Sequence, residues 1–173
     1  MSDLPASGLR PQTAAAVDLA VARAQRAWRS PGVSAGLVRD GRLVHTAYVG
    51  SARIEPPTAL GDDTPFMIGS VTKTFTAVLI MRLRDEGRLA LDDPLERFVP
   101  EAAYGDLTIR RMLAHLSGLQ REPVGRMWES LHAPDAPRLL AELGQAERVL
   151  APHQAFHYSN LAYALLDPRI RYD

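Results

Sequence analysis

Lys73 is the only lysine in a chain that otherwise carries its fixed positive charge on arginine, 19 times. Arginine stays protonated at any workable pH, whereas a lysine that is buried or set beside positive potential can release its proton and act as a base. Ser70 lies three residues earlier, one helical turn away on the same face, within side-chain reach. The pair opens the most apolar helix-length run of the chain, Phe66 to Met81, through a turn led by Gly69. Phe75, Ala77, Val78, Leu79, Ile80, Met81 and Leu83 predict a helix buried all round. In its first turn, unsatisfied backbone donors and the positive end of the dipole disfavour an ammonium and favour an oxyanion at Ser70. Both effects point to a reactive serine beside a neutral amine. The plain alternative is that Ser70 caps the helix and Lys73 is a solvated first-turn residue.

A second group supplies what that pair lacks. Tyr158-Ser159-Asn160 offers a phenol that can relay a proton near a positive charge and an amide that can both donate to and accept from a substrate. Alone, such a triplet reads as turn chemistry, with asparagine as a loop or cap residue. Its weight comes from occurring with Ser70 and Lys73.

The elements that must position these groups follow from pattern. Pro11 to Trp28 reads as an amphipathic helix with Val17, Leu19, Ala20, Val21, Ala24 and Trp28 as its apolar stripe, stopped by Ser30-Pro31-Gly32. Val33 to Arg39 and Arg42 to Val49 are strand-like and joined by Asp40-Gly41, a hairpin signal. From Gly50 to Pro65 the chain reads as irregular. After the serine-bearing helix come a turn at Asp92-Asp93-Pro94, a short helix over 107–115 capped by Thr108 and closed by Leu116-Ser117-Gly118, and a loop-rich stretch over 120–137. A helix is expected over 137–150, then the apolar run Leu161 to Leu166. The tail Asp167 to Asp173 has no usable periodicity. His115 and Ser117 close a helix and have no visible partner near the serine, so they read as structural.

With 46% hydrophobic residues and a formal net charge of +0, one ordinary soluble domain, or a piece of a larger one, is expected. The charge balance gives no reason to expect nucleic acid or an acidic membrane surface as partner. Cysteine is absent, which removes disulfides, thiol nucleophiles and cysteine-ligated metals. No two of His45, His115, His132, His153 and His157 form a helical metal-ligand pair, because Pro152 argues against a helix spanning His153 and His157. Neither metal nor cofactor is expected. No secretory pattern and no membrane-length run is visible, so a cytoplasmic protein is expected.

Ser70-Val-Thr-Lys73 followed by Tyr158-Ser-Asn160 resembles the serine β-lactamase and penicillin-binding-protein superfamily, in its class C β-lactamase, D-alanyl-D-alanine carboxypeptidase and esterase branch. Gly87-Arg-Leu-Ala-Leu-Asp-Asp-Pro94, Thr108-Ile-Arg-Arg-Met-Leu-Ala-His-Leu-Ser-Gly-Leu119 and Tyr158-Ser-Asn-Leu-Ala-Tyr163 carry the same likeness over about residues 30 to 166. It implies an α/β (α+β) fold with an antiparallel sheet flanked by helices plus a helical region. It also implies Ser70 as acylated nucleophile with its own N–H as one oxyanion donor, Lys73 as base and Tyr158 as proton relay. Asn160 would hold the amide or ester side chain of the substrate. The family's third motif, Lys/His-Thr/Ser-Gly, is not found, nor are the strands that follow it. The sequence is therefore expected to be the N-terminal portion of a member, with residues 1–62 giving the helix and hairpin and 63–173 the helical region bearing the site. The expected activity is serine hydrolysis through an acyl-enzyme on a β-lactam, D-amino-acid peptide or small ester. The alternative is a non-catalytic remnant or binding module that keeps the pocket face. The 120–137 loop is expected to decide the substrate, and the bare hairpin edge to be open to self-association.

Overall fold

Asp40 and Gly41 both adopt positive φ, 51° and 71°, the conformation that a two-residue turn needs to match the twist of its strands. They join β1 (Gly32–Arg39) to β2 (Arg42–Arg53) in an antiparallel pair whose register runs from Gly32 opposite Gly50 to Arg39 opposite Arg42. The register shifts beside Leu37, leaving Val44 as the extra residue of a bulge. A short β3 (Thr58–Ala59) then adds to β2, giving a three-stranded sheet of order β1-β2-β3. Part of the stretch expected to be irregular is thus strand. Ser51 explains it locally: its hydroxyl donates to Thr58 O at 2.7 Å and accepts from Thr58 N at 2.8 Å. Among the described residues β1 pairs only with β2, so its outer edge is free.

The computed structural model describes residues 8–130 and 132–166. Residues 1–7, where no secretory pattern was read, and the tail Asp167 to Asp173 lie outside them. The chain divides into two compact units, Met1–Met67 and Ile68–Asp173.

In the first unit, α1 (Pro11–Trp28) begins on a proline and ends where Arg29 turns left-handed. It packs on the hairpin through half-buried Ala14, Val17, Val21 and Gln25, and Asp18 bonds His45 of β2 at 2.7 Å. Leu19 and Trp28, expected in the apolar stripe, are exposed. The hairpin is narrow and takes only the residues spaced by three and four along one line.

The second unit holds the main core, centred on Leu95, Leu107, Ile109, Met112, Leu161 and Leu165, all fully buried. Its helices are α2 (Thr72–Asp85), α3 (Ile109–Leu113), α4 (Met127–Ser130), α5 (Ala136–Glu142) and α6 (Asn160–Ala164). Thr108 caps α3 by accepting from Arg111 N. α5 stops at Glu142 and tightens into a 3₁₀ turn over Leu143–Gln145, so the helix expected to 150 ends early. The loop-rich stretch contains one helical turn, α4. α2 corrects a larger expectation: only Ile80 is buried, while Phe75 and Val78 are 60% and 59% exposed. Apolar content makes a surface fit to be covered; burial also requires a partner surface, and the core of this unit reaches α2 only near Ile80. No helix among the described residues is long and apolar enough to cross a membrane.

Candidate active site

Ser70 sits in a 3₁₀ turn, Gly69–Val71, that runs directly into α2, and Lys73 is the second residue of that helix. Neither helix start is capped by a side chain, so the Ser70 hydroxyl is not spent on the backbone. It lies 2.7 Å from the Tyr158 hydroxyl and 3.4 Å from Lys73 Nζ. Lys73 Nζ makes its closer bond to Asn160 Oδ1, at 2.6 Å. The four residues singled out in the sequence are therefore in one cluster within the second unit, and Ser70 is exposed to an approaching molecule.

Tyr158 and Asn160 point the same way because Ser159 between them is extended, φ −129° and ψ 115°, and alternate side chains of an extended stretch share a face. Ser159 itself is buried and serves structure. Its hydroxyl accepts from Ala162 N at 3.0 Å to cap α6 and donates to Gln120 O at 2.8 Å. The Asn160 N–H donates to Arg121 O at 2.7 Å. The triplet is thus both cap chemistry and a presenter of two polar heads.

Under Tyr158 lies His115, expected to be structural and without a partner near the serine. It does end α3, in the left-handed conformation with φ 58°, but it also has partners in the cluster. Its ring stacks on Tyr158 with centroids 4.4 Å apart, lies 4.9 Å from Tyr163, and accepts from Ser159 N at Nδ1, 3.1 Å. An accepting Nδ1 requires the neutral ring, and burial, with the Lys73 charge adding to it, pushes the His115 pKa down. His115→Ala is expected to cost about 2–3 kcal/mol by urea denaturation at pH 7, from the lost stack and an unsatisfied buried N–H. Because the folded-state pKa is depressed, this stability is present above the ordinary histidine value, about 6.5, and is lost as pH falls through the folded value. The gap between parent and variant should narrow on acidification; a constant gap would refute the neutral-ring assignment.

The segment after His115 brings in two residues that the sequence did not single out. Gly118, φ 72°, passes so close to the backbone at Leu150 that a Cβ would meet Leu150 O at 2.0 Å. Gln120 N donates to Glu147 O at 2.9 Å, and Gln120 Oε1 accepts from Glu147 N at 2.6 Å. This clamp delivers Arg121 and Glu122 to the cluster. The Arg121 guanidinium lies 5.5 Å from the Tyr158 ring, and both Glu122 carboxylate oxygens accept from Asn160 Nδ2 at 2.9 Å. Gln-Arg-Glu-Pro in a loop carries no local signal of this, since the pairing partners are 27 and 38 residues away.

Tyr158 is held below the ordinary phenol range, first by its bond with Lys73, then by that with Ser70, with the Lys73 and Arg121 charges adding. Burial acts in the opposite direction on this residue. The cluster therefore presents an accessible hydroxyl beside a phenol inclined to ionise and an amine.

A family model described as Beta-lactamase matches residues 17–171. The esterase EstB of Burkholderia gladioli is 32% identical over 164 residues, 84% of this chain and 42% of EstB. Beta-lactamase-like protein 2 of Dictyostelium discoideum is 34% identical over 122 residues, 64% of this chain and 22% of that protein. Among solved structures, SurE aligns at 30% identity with a TM-score of 0.73, over 93% of this chain and 35% of that one. A class C beta-lactamase shares the fold with a TM-score of 0.71 at 23% identity, over 93% of this chain and 45% of that one. The chain spans less than half the length of each of these relatives. With the family model matching nearly all of the sequence, and the fold shared over 93% of the chain, this chain belongs to the beta-lactamase family.

Proposed function

We propose that the Ser70 cluster performs acyl transfer from an amide or ester, the serine-hydrolase chemistry of an acyl-enzyme. The observation that carries the reading is the Ser70 hydroxyl standing 2.7 Å from a phenol and 3.4 Å from the chain's single lysine. In the step envisaged, Ser70 Oγ bonds to the substrate carbonyl carbon while its proton passes to the Tyr158–Lys73 pair. That pair, short of one proton, is the base. The proton then moves to the departing amine or alcohol as the carbonyl–leaving-group bond breaks. The Ser70 N–H, among the helix-start donors without an intrahelical partner, would face the developing oxyanion. Asn160 keeps a role toward substrate: two oxygens of one carboxylate subtend too small an angle at Nδ2 to occupy both of its hydrogens, so one remains free for a substrate carbonyl. EstB, an esterase by name, and the class C beta-lactamase make esters and β-lactams the substrates to test first.

The test is covalent. Incubation with a fluorophosphonate, a labelled penicillin and a p-nitrophenyl ester, followed by peptide mass mapping, should place the adduct on Ser70. The reagent that reacts fastest names the acyl class. An adduct on any other serine, or none with all three, would leave a non-catalytic binding face as the surviving reading.

The depressed Tyr158 pKa sets the pH dependence. A base whose pKa is lowered is available above that pKa and lost as pH falls through it. The acylation rate should therefore rise with pH through an ionisation below the ordinary phenol value of about 10. Tyr158→Phe should erase that limb; an unchanged limb in the variant would assign the ionisation elsewhere.

A further inference from the structure

The Asn160 side chain lies between a group that can only accept and a group that donates to it. Both Glu122 carboxylate oxygens face Nδ2 at 2.9 Å, and Lys73 Nζ faces Oδ1 at 2.6 Å. A carboxylate has no hydrogen to give, so only one of the two amide orientations satisfies both neighbours. Turned over, the amide would set its oxygen against the carboxylate and its N–H bonds against the amine.

Glu122 is itself held in place. Gln120 Nε2 donates to the Glu122 backbone carbonyl at 2.8 Å, Arg121 Nε approaches Oε1 at 3.3 Å, and the side chain is 24% exposed. The carboxylate touches neither Ser70 nor Lys73, so any influence on the nucleophile must pass through the Asn160 amide.

We propose that Glu122 is a positioning residue for the Ser70 nucleophile: it locks the Asn160 amide with Oδ1 toward Lys73 and thereby holds the amine within reach of the serine. This rests on the acyl-transfer reading above. Without the carboxylate only Lys73 selects between the two amide orientations, and the reversed one becomes more populated. In the reversed one Lys73 loses its 2.6 Å acceptor and is held near Ser70 only by the longer 3.4 Å contact and by the Tyr158 ring.

The experiment pairs kinetics with a spectroscopic readout. Glu122→Gln retains shape and one acceptor but adds a competing donor. Ser70 acylation by the fluorophosphonate should fall about 10- to 100-fold, the scale of losing a hydrogen bond to a charged group, with an unchanged urea midpoint. Because Glu122 acts through Asn160, the double variant Glu122→Gln/Asn160→Ala should acylate no more slowly than Asn160→Ala alone. In ¹⁵N–¹H spectra the Asn160 side-chain NH₂ pair, assigned by its loss in Asn160→Asp, should shift upfield in Glu122→Gln as the carboxylate partner disappears. Parent-rate acylation in Glu122→Gln, additive losses in the double variant, or an unmoved amide resonance each overturns the proposal. If the parent itself is not labelled at Ser70, the acyl-transfer reading fails, and the amide resonance alone decides whether Glu122 orients Asn160.

Discussion

Ser70→Ala is expected to abolish covalent labelling while leaving the protein folded. The hydroxyl is exposed and caps no helix, so its removal should change stability by no more than about 1 kcal/mol, through its short hydrogen bond with Tyr158 and its longer one with Lys73. Lys73, Tyr158 and Asn160 keep their own contacts, and the variant should still bind a non-reactive ester or penicillin fragment. Labelling is read by intact mass and folding by urea titration of tryptophan fluorescence. Residual adduct at a parent-like rate would mean that another nucleophile reacts. Loss of the cooperative transition would mean that the serine is structural.

Lys73→Arg should slow acylation by roughly 10² to 10⁴, the usual contribution of a positioned general base. Arginine preserves the charge that favours the Tyr158 phenolate, yet it cannot take up the serine proton. Its flat, forked head also replaces a compact amine that contacts Asn160 at 2.6 Å and Ser70 at 3.4 Å. The comparison with Tyr158→Phe separates the two members of the base. If the phenol only assists, its loss is the smaller; if Lys73→Arg acylates at the parent rate, lysine serves as charge alone. Rates come from fluorophosphonate incorporation followed over time at fixed pH.

Local relationships were readable from the sequence because they depend on one stretch of backbone. Ser70 and Lys73 share a face by helical periodicity, and Tyr158 and Asn160 share one because Ser159 is extended. The hairpin at Asp40-Gly41 and the Thr108 cap follow from the conformations those residues favour. What required the folded chain was long-range. Glu122 reaches Asn160 only through the clamp between Gln120 and Glu147, and His115 meets Tyr158 only because the chain returns to it 43 residues later. Burial was the least legible property. An apolar run announces that a helix can be covered, as in α2, but not which residues of the chain do so.

The rarity of lysine gives the cluster an experimental handle. Lys73 is the chain's only side-chain amine, so reductive methylation with ¹³C-formaldehyde would place a single isotopic reporter on a side chain at its centre, and the α-amino group would contribute one separate signal. The dimethylamine retains a lone pair and one proton site, so its chemical shift would follow the ionisation of that nitrogen in one titration, without assignment of the rest of the spectrum. Adding an acylating reagent to the same tube would show, resonance by resonance, whether the amine changes state when Ser70 is occupied.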